Sequence, residues 1–229
     1  MLTVRRAADR GHFDHGWLDT YHSFSFADYV DPRFMGFRSL RVLNEDRVAP
    51  GAGFPMHGHK DMEILTYVVA GALEHRDNMG NHAVVRPGEV QVMSAGTGVM
   101  HSEANPSRTE PVHLLQIWIV PSRKGLPPRY GQKSIPDLRP IVTIADAEGR
   151  GDVVRIHQDV AVKLVRLDAG QRTGLAFAAG RAGWIQVVDG DLVVGDGRVG
   201  AGDAVAVTDE LRVELAAKTA ATALAFDLS

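Results

Sequence analysis

Glycine cuts this chain into short runs rich in valine and isoleucine. Runs such as Glu63–Ala70, Val90–Ser94 and Val112–Val120 are too short for ordinary helices, and branched side chains suit a pleated surface. Further candidate strands are Leu40–Leu43, Ala72–His75, His82–Arg86 and Val99–Glu103. A second series follows at Val160–Leu167, Leu175–Ala178, Trp184–Val188, Asp191–Val194, Ala204–Val207, Arg212–Ala216 and Thr222–Leu228. That density of short strands predicts an all-β sandwich or barrel. Helix should be confined to short turns, at Asp19–Tyr29 and Asp146–Arg150. Between the two series lies Pro121–Pro140, whose five prolines predict an irregular connector.

The two series resemble each other. Thr66-Tyr67-Val68-Val69-Ala70-Gly71 parallels Ile185-Gln186-Val187-Val188-Asp189-Gly190. Arg86-Pro87-Gly88-Glu89-Val90 parallels Gly200-Ala201-Gly202-Asp203-Ala204. A repeat of this length predicts duplicated domains, not a solenoid.

Histidine is distributed unevenly across this repeat. Nine of ten histidines lie at or before His113. Two pairs stand out, His57-Gly58-His59 and His101-Ser102-Glu103, each with ligand-type residues at i and i+2. On a strand that spacing puts both side chains on one face. Two such strands facing each other would bring three imidazoles and one carboxylate to a point. That is a ligand set for a divalent transition metal, with coordination positions left open. Iron, copper, nickel, cobalt, manganese and zinc all accept such ligands, and the set does not choose among them. An ungapped alignment of the halves puts Ala176 and Ala178 opposite the first pair, and Leu215 and Ala217 opposite the second. Any metal therefore belongs to the first half.

Composition removes other chemistries. With no cysteine, the chain has no disulfide, thiolate ligand or cysteine nucleophile. A net charge of −3 with scattered arginines offers no footprint for nucleic acid. No run of about 20 apolar residues suggests a membrane span. The start, Met1-Leu2-Thr3-Val4-Arg5-Arg6, lacks the apolar core of a signal peptide, so a cytoplasmic protein is expected. Ser94-Ala95-Gly96-Thr97-Gly98 lacks the lysine and helix of a phosphate loop, and no nucleophile elbow occurs. Asn44-Glu45-Asp46 reads as a turn with inter-strand hydrogen bonding.

The motifs carry a family resemblance. Gly51-x5-His57-x-His59-x3-Glu63 resembles the first cupin motif, and Gly88-x5-Ser94-x-Gly96-x4-His101-x3-Asn105 the second. The second has serine in place of the usual proline and two extra residues before its histidine. Those departures, with Glu103 at i+2, resemble the pirin branch of the cupins. Gly16-Trp17, His22-Ser23-Phe24-Ser25-Phe26, Leu43-Asn44-Glu45-Asp46, Gly53-Phe54-Pro55, Glu74-His75-Arg76-Asp77, Gln91-Val92-Met93-Ser94-Ala95-Gly96 and Gln116-Ile117-Trp118 match the same branch. The match is dense over residues 12–121 and holds only in outline beyond.

The resemblance implies two cupin barrels packed face to face. It implies a metal-binding N-terminal domain over 1–121, a linker over 122–140, and over 141–229 a degenerate C-terminal cupin without ligands. It implies His57, His59, His101 and Glu103 as the ligands, Glu63 as a non-ligand, and Fe(2+) as the usual metal. It further implies opening of the heterocyclic ring of flavonols such as quercetin by O2, with release of carbon monoxide. Glu103 would serve as the base. Some pirins are instead regulatory partners of transcription factors or metabolic enzymes, so an iron-binding module acting on a protein partner is the alternative. A flat phenolic substrate needs apolar walls. Phe24, Phe54 and Met93 are the candidates, drawn from a wider group with Phe26, Phe34, Phe37, Met56 and Met100, while His22 and His75 are placed at the entrance.

Overall fold

A computed structural model describes all 229 residues. The chain is almost wholly antiparallel β, and its helical content is one turn of 3-10 helix at Ala7–Asp9. No helix is long and apolar enough to cross a membrane. The all-β expectation holds. It divides into two compact units, one of residues 11–135 and 148–158, the other of residues 1–10, 136–147 and 159–229.

The chain opens with β1 (Leu2–Arg5), which belongs to the second unit. The first unit then runs through β2 (Gly11–Asp14), β3 (Leu18–His22), β4 (Leu40–Val48), β5 (Gly53–His59), β6 (Glu63–Ala70), β7 (Leu73–Asp77), β8 (His82–Val85), β9 (Glu89–Ser94), β10 (Val99–Ala104), β11 (Val112–Ile119) and β12 (Arg129–Ser134). These form a seven-stranded sheet, β12-β9-β6-β11-β4-β3-β2, and a four-stranded sheet, β5-β10-β7-β8. Leu18, Val48, Val68, Leu73, Val85, Val112 and Leu114 from both sheets make one buried core, with Trp17 and Phe54 packed against it.

The second unit contains β13 (Ile141–Asp146), β15 (Val160–Leu167), β16 (Arg172–Ala176), β17 (Ala182–Asp189), β18 (Leu192–Val194), β19 (Gly197–Val199), β20 (Ala204–Val207), β21 (Arg212–Ala217) and β22 (Ala221–Leu228), while β14 (Val154–Arg155) falls in the segment 148–158. Its larger sheet runs β1-β20-β17-β22-β15-β13, and its smaller sheet β16-β21-β18-β19. The central order β20-β17-β22-β15 repeats β9-β6-β11-β4 of the first unit, and β16-β21-β18-β19 repeats β5-β10-β7-β8. The repeat read from the sequence is a repeat of topology. Gly71 after β6 and Gly190 after β17 have φ of +78° and +79°, a conformation that glycine adopts without strain.

Two readings change. Residues 129–134 form β12, paired with β9 from Arg129↔Ser94 to Ser134↔Glu89. The connector's prolines flank this stretch without entering it, and its backbone groups satisfy the exposed edge of β9. Asn44-Glu45-Asp46 is the middle of β4: the expected inter-strand pairing is there, with β3 and β11 on either side, and the turn is not.

Candidate metal centre

The two ligand-type pairs lie on neighbouring strands of one sheet. β5 and β10 run antiparallel, with His101 directly opposite His57. The strands do not face each other across the unit; they stand side by side, and alternation turns both pairs to the same face. Two features of β5 shape the site. Between His57 and Phe54 it carries one more residue than β10 carries between His101 and Glu103, so the register shifts there. Such a bulge bends a strand and re-aims its side chains. Gly53, next to the shift, lies so close to β10 that a Cβ on it would sit 2.2 Å from the carbonyl oxygen of Glu103. Pro55 is tolerated because β5 is an edge strand.

The rings of His57, His59 and His101 lie 4.4–4.8 Å apart between centroids. The Pro55 carbonyl lies 2.7 Å from His57 Nδ1. It accepts a hydrogen bond from Nδ1–H, which leaves Nε2 as the bare nitrogen. Both ring nitrogens of His101 are buried without a partner, and so is Oε1 of Glu103. Buried polar atoms are normally paired, and lone pairs collected in one place are what a divalent transition ion satisfies. Burial, with His57 close by, pushes His59 down to about 4 and His101 down to about 3. Both imidazoles are therefore neutral at pH 7, the state that binds a metal.

Two overlapping groups have donor atoms within metal-binding reach, His57, His59 and His101, and also His75, His101 and Glu103. His75 is not at an entrance. It is fully buried on β7 opposite Glu103, its ring 5.3 Å from His101, with Nε2 hydrogen-bonded to Asp77 Oδ2 at 3.0 Å. Glu63, the residue that ends the first motif, is buried elsewhere. It accepts hydrogen bonds from Ser94 Oγ at 2.7 Å and the His157 backbone N–H at 3.2 Å.

Glu103 is held from the larger sheet. Gln116 Nε2 donates to Glu103 Oε2 at 2.9 Å, and Gln116 Oε1 accepts from Thr66 Oγ1 at 2.9 Å. These residues belong to a polar row that crosses five strands in direct register: His22, Asn44, Gln116, Thr66 and Gln91. Burial raises Glu103 to about 7, with the nearby Asp46 adding to the effect and the Gln116 bond opposing it. Asp46 is likewise raised to about 7 by burial, against a hydrogen bond from Thr20 Oγ1.

The site opens into a cavity of about 460 Å³. His57, His59 and Glu103 stand on one side of it. Leu18, Phe26, Phe54 and Trp118 supply apolar surface, and Thr20, His22, Asn44, Asp46 and Gln116 form a polar wall. A metal ion here would face a half-apolar chamber large enough for an aromatic ligand.

The model of the Pirin family matches residues 3–119, and that of the quercetinase C-terminal cupin domain matches residues 143–228. The chain is 45% identical over its whole length to a quercetin 2,3-dioxygenase of Escherichia coli, covering 99% of that protein. This chain belongs to the pirin family. The crystal structure of the bacterial pirin YhhW from E. coli in complex with nickel(II) is 44% identical, with a TM-score of 0.96 over 100% of this chain and 99% of that one. A quercetin 2,3-dioxygenase from Acinetobacter baumannii, 21% identical over 99% of this chain and 85% of its own, shares the fold with a TM-score of 0.80.

In this pirin, His57, His59 and His101 are brought together, Glu103 groups with His101 and His75, and His22 and Phe54 line the cavity. Phe24 and Met93 do not. Phe24 is 1% exposed, and Met93 packs with Ile64 and Val99 in a small core cluster. Met93 is turned to the core by its position on β9 and Phe24 by the bend after β3, a choice that residue type alone does not reveal. The polar row went unread, although part of its signal is present: Thr66 and Gln116 are single polar residues set among apolar ones on long strands. In the second unit of the pirin, the inward residues are Leu175 and Phe177 on one side and Val213, Leu215 and Ala217 on the other, all in one apolar cluster. Ala176 and Ala178 point outward, so the ungapped alignment was one residue out of register there, which flips a strand's faces. Each large side chain in that cluster contributes about 2 kcal/mol by burial, and none can ligate.

Proposed function

We propose that this protein is a metal-dependent dioxygenase that opens the heterocyclic ring of flavonols such as quercetin and releases carbon monoxide. The observation that carries this reading is the set of unpartnered donor atoms on His101 and Glu103, beside His57 and His59, at the wall of a cavity lined by aromatic rings. The activity named for its 45% identical relative supports it. The ligands proposed are His57, His59, His101 and Glu103. Glu103 is preferred to His75 because it lines the cavity and His75 does not. Iron(II) is the metal proposed; the related E. coli pirin is in complex with nickel(II), and nitrogen and oxygen donors suit either ion.

A divalent ion, when bound, supplies Lewis acidity that stabilises the anion of a chelating hydroxyl. The histidines hold their lone pairs in place: His57 is oriented by the Pro55 carbonyl, and His101 is fixed by burial beside His75. Glu103 accepts the proton of the flavonol 3-hydroxyl on Oε1, while Gln116 keeps Oε2 engaged. Phe26, Phe54 and Trp118 contact the flat rings and keep water from them.

The test is an aerobic assay of the iron(II)-loaded protein with quercetin, following loss of the flavonol absorbance and evolution of carbon monoxide. Loss of the band with matching carbon monoxide supports the reading. No turnover with iron, copper, nickel, cobalt or manganese would overturn it.

A further inference from the structure

The cavity has a polar wall that the metal centre does not use. Asn44 and Asp46 are i, i+2 neighbours on β4 and both line the cavity, at 4% exposure each. Oδ1 of Asn44 is buried with no hydrogen-bond partner. An unpaired buried acceptor costs about 1–3 kcal/mol, which a ligand donating to it would recover. Thr20 and Gln116 are already engaged. Thr20 Oγ1 donates to Asp46 Oδ1, Gln116 Nε2 donates to Glu103, and Gln116 Oε1 is occupied by Thr66. The wall therefore presents the open carbonyl oxygen of Asn44 and the carboxyl of Asp46 to hydroxyl groups. It stands close to the reacting end, because Asn44 is the direct register partner of Gln116, one strand spacing from the residue that holds Glu103. Apolar surface from Leu18, Phe26 and Trp118 borders it, so its ligand must be flat and apolar with hydroxyl donors on its rim.

We infer that Asn44 and Asp46 determine substrate specificity by hydrogen-bonding ring hydroxyls that do not chelate the metal, so that polyhydroxylated flavonols are selected over bare ones. The inference rests on the flavonol reading above and sharpens it. Removing the hydroxyls leaves the buried acceptors unpaired, which discriminates more strongly than lost contact area.

The test compares quercetin with 3-hydroxyflavone, which keeps the chelating hydroxyl and carbonyl and lacks the other hydroxyls. Binding to the iron(II)-loaded protein is measured without oxygen, by quenching of tryptophan fluorescence. The wild type should bind quercetin about tenfold or more tightly than 3-hydroxyflavone. Asn44→Leu and Asp46→Leu should each reduce that ratio by about three- to tenfold, while 3-hydroxyflavone affinity stays constant and reports an intact site. Asn44→Leu is close in shape and decides the matter alone should Asp46→Leu fail to fold. Equal ratios in wild type and Asn44→Leu, with both ligands bound, would overturn the inference and leave the flavonol reading standing. Failure of the wild type to bind either ligand would overturn both.

Discussion

Gln116 donates to Oε2 of Glu103 at 2.9 Å, and Oε1 of the same carboxylate is buried with no partner. One oxygen is anchored and the other is left for chemistry. Glu103→Gln keeps a carbonyl oxygen that can ligate but cannot take up a proton. That variant should retain most of its metal by elemental analysis and lose roughly 10²–10⁴-fold in quercetin turnover. Turnover at the wild-type rate would remove Glu103 as the base.

Metal affinity should depend on pH through the same carboxyl. Burial holds Glu103 at about 7 in the metal-free site, so below that pH a metal must displace its proton. His59 and His101, held down to about 4 and 3, add no such cost above about pH 5. Between pH 7 and 5 the wild type should lose affinity more steeply than Glu103→Gln, by about one proton per ion, or roughly tenfold per pH unit. Isothermal titration across that range measures both slopes, and parallel slopes would contradict the assignment.

The two overlapping groups of donor atoms can be separated by substitution. His101 belongs to both, His57 and His59 to one, and His75 to the other. His101→Ala should abolish stoichiometric metal binding. His75→Asn should keep it, with affinity lowered by no more than about 10–100-fold, as for residues that support a ligand without being one. Loss of metal in His75→Asn with retention in His59→Ala would reverse the choice of site.

Gly53→Ala should damage the centre without touching a ligand. Its Cβ would lie 2.2 Å from the Glu103 carbonyl and 2.5 Å from Ala104 Cα, so β5 must move away from β10. A cost of about 1–3 kcal/mol is expected, typical of overpacking, together with reduced metal content. Thermal melts of the metal-free protein give the first quantity. An unchanged melting temperature with full metal loading would show that the close approach is dispensable.

Asp46 should make the metal-free protein less stable as pH rises. Its carboxyl is raised from 3.8 to about 7, chiefly by burial. The folded chain holds a proton that the unfolded chain releases above pH 4, so stability falls as pH climbs towards 7. The gap sets an upper bound of about 4 kcal/mol. Asp46→Asn should match the wild type near pH 4.5 and exceed it by about 1–3 kcal/mol at pH 8 in urea denaturation. A variant less stable than wild type at pH 8 would count against this account.

Much of the candidate centre was legible because its logic is local. The i, i+2 spacing of His57 with His59, and of His101 with Glu103, needs only the alternation of a strand to put each pair on one face. The glycine-punctuated runs likewise needed only strand propensity to predict an all-β chain, and nine of ten histidines in the first half placed the metal chemistry there. What stayed hidden depends on register. A one-residue shift decides whether Ala176 or Phe177 points inward, and no local signal sets it. Residues 129–134 become a strand because β9 offers an open edge, and Met93 faces the core by its position on β9.

The sequence by itself therefore determined an antiparallel β protein built of two similar halves, with an N- and O-donor set in the first, because propensity and alternation act over a few residues. Only the tertiary structure decided that His57 stands opposite His101 on adjacent strands. It alone decided that Gln116 reaches Glu103 from the other sheet, and that Asn44 and Asp46 form a wall instead of a turn. Those relationships are made by hydrogen-bond register between distant segments, which the order of residues along the chain does not display.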